Sequence, residues 1–139
     1  MKLTLNFKLG KSSLNGRIYH EKEFIPALEK YLKLGDRAFV TFGYNKESMA
    51  TLQISKIIGV ATGYGLLTDG TVKINIRWLE DVPEYKKNKD KINEDAELSS
   101  NCIGELNADK SVTVQSLLFL FVADEEGDED GTRRDAPPA

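Results

Sequence analysis

SVTVQSLLFLFVAD, residues 111–124, decides how the rest of the chain is read. Its centre, Leu117 to Val122, is apolar at every position, so a strand here must be covered on both faces. Such a strand belongs in the middle of a sheet or barrel, and the question becomes which other segments surround it.

Several candidates alternate at the two-residue period of a half-buried strand. KLTLNFKL (2–9) sets Leu3, Leu5, Phe7 and Leu9 against Lys2, Thr4, Asn6 and Lys8. DRAFVTFG (36–43) places Ala38, Val40 and Phe42 on one face. In GLLTDGTVKINIRWLED (65–81), Asp69-Gly70 forms a hairpin turn, and Val72, Ile74, Ile76 and Trp78 alternate with Thr71, Lys73, Asn75 and Arg77. LSSNCIGEL (98–106) is a further strand, followed by a turn over 107–110. LQISKIIG (52–59) also reads as a strand, running on toward Gly63, with Lys56 on the same face as Leu52, Ile54 and Ile58.

One segment has the helical period: Phe24, Leu28, Tyr31 and Leu32 recur between Glu21 and Leu34, and Gly35 supplies a stop. Pro26 sits too deep for a helix starting at Glu21, so the regular helix is expected to begin near Ile25. Asn15-Gly16 marks a turn, and 81–97, dense in charge and poor in apolar residues, reads as a solvated connection. The expected fold is α+β, mainly antiparallel β: a small β-barrel or sheet with one main helix over residues 1–123, followed by an acidic tail, 124–139.

Composition narrows the function classes. A chain of 139 residues fits one domain that buries about two-thirds of its unfolded surface, so no staple is required. No apolar run reaches the roughly 20 residues of a membrane span, and residues 1–20 lack the pattern of a secretory signal, so membrane partners are not expected and cytoplasmic synthesis is. Cys102 is the sole cysteine and His20 the sole histidine, which excludes an internal disulfide, a multi-cysteine zinc site and a His-rich metal site. Neither metal nor cofactor is expected. The net charge of −3 divides into −5 for residues 124–139, with seven acids and two arginines, and +2 for the remainder. That body is far short of the basic stripe of a duplex binder.

Four sets of residues invite a chemical reading. Lys56, desolvated on an apolar face, has the character of a base for a serine; the plain alternative is a stem that covers apolar surface at a sheet edge while its ammonium reaches solvent. Ser99 and Ser100, followed by Asn101, Cys102 and Gly104, offer a nucleophile with backbone N–H groups nearby, though no G-x-S-x-G elbow surrounds them. His20, at a helix entrance, reads as a surface or capping residue, and Cys102 as a small core residue. Phe39, Phe42, Tyr44, Tyr64 and Trp78, with Lys73 and Arg77 close by, suggest a single-strand nucleic-acid face whose basic groove the acidic tail competes for; the simpler reading makes these aromatics core. KLGKSS and GVATGYG contain glycine but match no phosphate-binding fingerprint.

In order along the chain, these segments resemble the prohead, or capsid maturation, proteases of tailed phages, which share a fold with the herpesvirus assemblins. LNGRIYHEKEFIPALEKYL (14–32) is similar to that family's N-G-R-[IV]-Y-P entry into a helix. TFGYNKES (41–48) resembles its G-E-L-D-H-P-like loop, and SKII (55–58) its S-H-[VI]-I strand, followed here by LLTDGTVKINIRWLEDVPEY. LSSNCIGE (98–105) resembles the V-S-S-R-G-x-G segment that carries the nucleophile.

The departures fall on the chemistry. Lys56 stands where the resemblance implies a histidine, and Tyr44-Asn45-Lys46 replaces the D-H-P of the loop, so both positions expected to supply an imidazole lack one. The resemblance therefore implies degenerate positions at Lys56, Asn45, Ser99 and Ser100 and no catalysis. It suggests an auxiliary, decoration or cement protein of the phage head, assembled in the host cytoplasm and bound in the virion to the major capsid protein and possibly other head proteins. Small-molecule substrates are not expected, and nucleic acid is not the expected partner. The tail residues Asp124, Glu125, Glu126, Asp128, Glu129, Asp130, Arg133 and Arg134 are the expected docking elements. The alternatives are an active prohead protease with a Ser-Lys dyad and the single-strand binder.

Overall fold

A computed structural model describes residues 2–12, 16–43 and 54–123. Among these, the elements run β1 (Lys2–Lys8), β2 (Ile18–Tyr19), α1 (Glu21–Leu32), β3 (Phe39–Phe42), β4 (Ile57–Leu66), β5 (Thr71–Trp78), α2 (Pro83–Asn88), β6 (Glu97–Leu106) and β7 (Ser111–Val122). Six strands close a ring in the order β7, β3, β4, β5, β1, β6 and back to β7, and β2 lies outside it. The sheet is mixed. The β3–β4, β4–β5, β1–β5 and β6–β7 pairs are antiparallel, whereas β1–β6, β3–β7 and β2–β7 are parallel. The fold is α+β, as the alternation and the single helical period predict.

Strand β7 holds the central place expected of it. One edge pairs with β6 along nearly its full length; the other takes β2 at Ser111 and Val112 and β3 at Leu120 to Val122. Phe119, Leu120, Phe121 and Val122 are all buried, on both faces of the strand. Cross-strand partners share a face. Leu3 opposite Ile74 and Leu5 opposite Leu98 therefore identify the barrel interior, to which Val40, Leu120 and Ser100 also belong.

Helix α1 seats Phe24 against Phe7 and Tyr19, at ring-centroid distances of 5.3 and 6.1 Å. Its Glu23 carboxylate accepts the backbone N–H of Val114 at 3.2 Å, on β7 between the stretches that pair with β2 and β3. The helix begins at Glu21, four residues before the expected start, with Pro26 inside it. The hydrogen bond that Pro26 cannot donate would have reached the carbonyl of Lys22, an exposed residue of the first turn, so water is available to that carbonyl and the proline is tolerated there.

The expectation of a strand through 52–59 is corrected in part. Residues Ile54–Lys56 form a 3-10 turn and β4 starts at Ile57; Leu52 and Gln53 lie outside the described residues. Ile54 is 83% exposed, so the apolar alternation there does not mark a buried face. The connection 81–97 also differs from expectation. Pro83 opens α2, and Tyr85, Asn88 and Ile92 are buried beneath an otherwise charged run, with α2 against β3 and β4 and Tyr85 beside Trp78 at 5.9 Å.

Tyr31 ties the helix to β3, its hydroxyl donating to the carbonyl of Phe39. Burial raises its pKa above the ordinary value of about 10, a shift that a backbone hydrogen bond at Leu120 only partly opposes. Because the folded pKa is raised, this contribution to stability is full below pH ~10 and is lost as pH rises beyond it, by up to about 1.4 kcal/mol per pH unit. Tyr31→Phe is expected to cost about 1–2 kcal/mol at neutral pH and to flatten the alkaline loss, measured by urea unfolding from pH 7 to 11. An unchanged alkaline slope would count against this role.

Candidate functional site

Of the sequence candidates, the two serines lie on β6 and Lys56 in the 3-10 turn that leads into β4. Ser99 and Ser100 lie near the start of β6, opposite Phe121 and Leu120 of β7. By strand alternation Ser100 faces the barrel interior and Ser99 the outer side, yet both are buried, at 2% and 0% exposure. Among the described residues the Ser99 hydroxyl has no hydrogen-bond partner, and the Ser100 hydroxyl accepts the Cys102 thiol at 3.6 Å. Among the described residues neither serine is bonded to an imidazole or an amine. General-base activation requires such a group within about 3 Å or through one water.

Lys56 stands on the opposite wall. Two strands separate β4 from β6 either way round the six-stranded ring. The Lys56 side chain is half-exposed, and its Nζ lies 3.4 Å from Glu84 Oε2 on α2. Glu84 also accepts the side chain of Asn88 at 3.1 Å, so the ammonium is held at the rim by an ordinary ion pair. The structure does not bring Lys56 to Ser99 or Ser100.

His20 is the N-cap residue of α1, as its position suggests; its backbone carbonyl accepts from Glu23 and Phe24, with no side-chain cap. It adjoins Tyr19, which pairs with Val112, whereas Ser100 pairs with Leu120, a separation on the order of 25 Å along β7. His20 instead borders an open groove of about 760 Å³ shared with Lys11, Leu66, Leu67 and Asp69.

Cys102 is intermediate in exposure and packs on the core; with Arg17 and Tyr19 it borders a cavity of about 80 Å³. Phe42 is buried in the core, and Phe39, Tyr64 and Trp78 pack against it, so these aromatics are structural. Arg77 pairs with Asp36 at 3.4 Å. Tyr44, Asn45 and Lys46, and the tail residues Asp124, Glu125, Glu126, Asp128, Glu129, Asp130, Arg133 and Arg134, lie outside the described residues. No group of three or more His, Cys, Asp or Glu side chains among the described residues could hold a metal, and no described helix is long and apolar enough to cross a membrane.

Sequence reasoning missed Glu84, Asn88 and Glu23 and the polar role of the Tyr31 hydroxyl: Glu23 and Tyr31 tie α1 to β7 and β3, Glu84 holds Lys56, and Asn88 bonds back to Glu84 within α2. The spacing of Tyr85, Asn88 and Ile92 (i, i+3, i+7) was the available sign that one side of the charged connection faces inward.

No protein-family model and no curated protein matches the sequence. Among solved structures, the fold is similar to that of the bacteriophage T4 capsid assembly protease, gp21. The TM-score is 0.66 at 13% identity, over 88% of this chain and 80% of that chain. The chain therefore has a prohead-protease-like fold.

Proposed function

We propose that this chain is a non-catalytic component of a phage head, an auxiliary, decoration or cement protein that binds the major capsid protein and retains the fold of a capsid protease without its chemistry. The fold likeness, covering most of the chain, supports the head context. What carries the non-catalytic reading is the state of the two serines: both are buried, and Lys56, the amine at the S-H-[VI]-I position, is engaged by Glu84 on the opposite wall. A nucleophile needs access to a scissile carbonyl as well as a base; among the described residues both serines are buried and neither is bonded to a base, which supports the non-catalytic reading. A fold that once recognised capsid protein becomes a stable binder by losing turnover. The tail, with net charge −5, suits a basic patch on the shell.

Two measurements test this proposal. Quantitative mass spectrometry of mature particles is expected to find the intact chain in a fixed ratio to the major capsid protein. A fluorophosphonate probe is expected to leave Ser99 and Ser100 unmodified. Labelling at either serine that Lys56→Ala abolishes would establish the Ser-Lys protease instead, and absence from particles would remove the structural role.

A further inference from the structure

The connection between β5 and β6 is pinned at both ends to the end of the barrel from which the chain leaves. At its start Leu79 donates to the carbonyl of Ile58 at 2.9 Å, next to the Thr41–Ile57 pair of β3 and β4. At its end the carbonyl of Glu97 accepts the N–H of Ala123 at 3.0 Å, while Gly43 donates to Val122 at 2.9 Å. Between these anchors Tyr85 and Asn88 turn inward, and Lys86, Lys87, Lys89 and Lys91 are exposed, with Asp90 the one acid among them. Glu84, the nearest preceding acid, is already taken up by Lys56 and Asn88. The next residues after Ala123 are DEEGDED (124–130), six acids and no base.

We propose that the lysine surface of α2 and the 3-10 turn after it is a docking site, and that its occupant is the acidic segment 124–130 of the same chain. The supporting observations are charge complementarity and the point of exit. Seven extended residues reach about 25 Å, enough to span from Ala123 over the neighbouring strands to the middle of the connection. A tether this short gives an effective concentration in the millimolar range, so a contact made of individually weak ion pairs is populated at low salt. Glu94, Asp95 and Glu97 stand nearest the exit and repel the same acids. The contact therefore falls on the lysine-bearing half of the connection. This inference does not depend on the capsid reading; where both hold, a basic shell surface competes with these lysines for the tail.

Carbodiimide coupling of the full chain tests it, because that reagent joins an amine to a carboxylate only in direct contact. An equal mixture of nitrogen-15-labelled and unlabelled protein distinguishes links within a chain from links between chains. The expected products are intrachain links from Lys86, Lys87, Lys89 or Lys91 to acids of 124–130, severalfold more abundant than links to Lys22, Lys30 or Lys33. They should fade at molar salt, where the screening length is about 3 Å. Links spread evenly over all lysines, or formed only between chains, would overturn the proposal. A second readout uses full-length variants and heparin as the probe. Amidating the six acids (Asp→Asn, Glu→Gln) is expected to tighten heparin binding about tenfold at low salt, by uncovering the lysines. The gain should vanish when the four lysines are also changed to glutamine; a gain that persists without them is bulk charge and refutes the docking.

Discussion

Phe24→Ala is expected to lower the unfolding free energy by about 3–5 kcal/mol, the range for removing a buried aromatic ring and leaving a cavity. For a chain of this size the melting temperature should fall on the order of 10–15 °C. Phe24 is fully buried and is among the largest of the fully buried side chains. Its ring meets Phe7 edge-on, and Phe7 stacks on Tyr19 at 4.3 Å, so one side chain joins α1, β1 and β2. The site has little freedom to collapse, because the helix is also held by Glu23 at Val114 and by Tyr31 at Phe39. Urea unfolding reads the effect as a lower midpoint with an unchanged slope. A loss below about 1 kcal/mol would mean that the helix re-seats and that these aromatics do not anchor it.

The parts of this fold legible in the sequence are those whose pattern is local. The β4–β5 hairpin was announced by Asp69-Gly70 and by the alternation from Val72 to Trp78, and β7 by an apolar run too dense for a strand with a wet face. The parallel pairs β1–β6, β2–β7 and β3–β7 join segments remote in sequence and leave no local signature. Lys56 was misplaced because Leu52, Ile54 and Ile58 continue a two-residue period across a turn, and a short apolar run does not distinguish a strand from the turn that introduces it. The helix start was misplaced because Pro26 forfeits a bond only to the carbonyl of Lys22, in the exposed first turn, and a position-counting rule for proline does not weigh that. At the site, the serine motif identified the strand. Burial of both hydroxyls depends on what packs over β6, and no spacing within LSSNCIGE encodes that.

The two hairpin turns give a pair of substitutions with opposite expected signs. In the first, Leu67 donates to Thr71, Gly70 donates to Leu67, and Asp69 accepts the Thr71 amide at 2.9 Å. In the second, Asn107 donates to Ser111, Lys110 donates to Asn107, and Asp109 accepts the Ser111 amide at 3.0 Å. Hydrogen bonds from Thr71, then Lys8, hold the Asp69 carboxyl well below the usual carboxylate range, and those from Ser111 lower that of Asp109. The turns differ at the left-handed position, where φ is +89° at Gly70 and +72° at Lys110. A Cβ on Gly70 would also lie 2.6 Å from the carbonyl oxygen of Leu9, and Leu9 itself donates to Gly70 at 2.9 Å, so the clash is with backbone that is already fixed. Left-handed strain of about 1–2 kcal/mol and an overpacking cost of similar size put Gly70→Ala at roughly 2–4 kcal/mol destabilising. Lys110 already bears that strain. Lys110→Gly relieves it and returns part of the gain through the freer unfolded chain, for a net stabilisation of about 0.5–1 kcal/mol. Urea midpoints of the two single variants and the double variant check both signs, and the effects should add, since the turns share no described contact. If Lys110→Gly destabilises, the lysine stem contributes packing that outweighs its backbone strain, and the parallel between the two turns is one of hydrogen bonding alone.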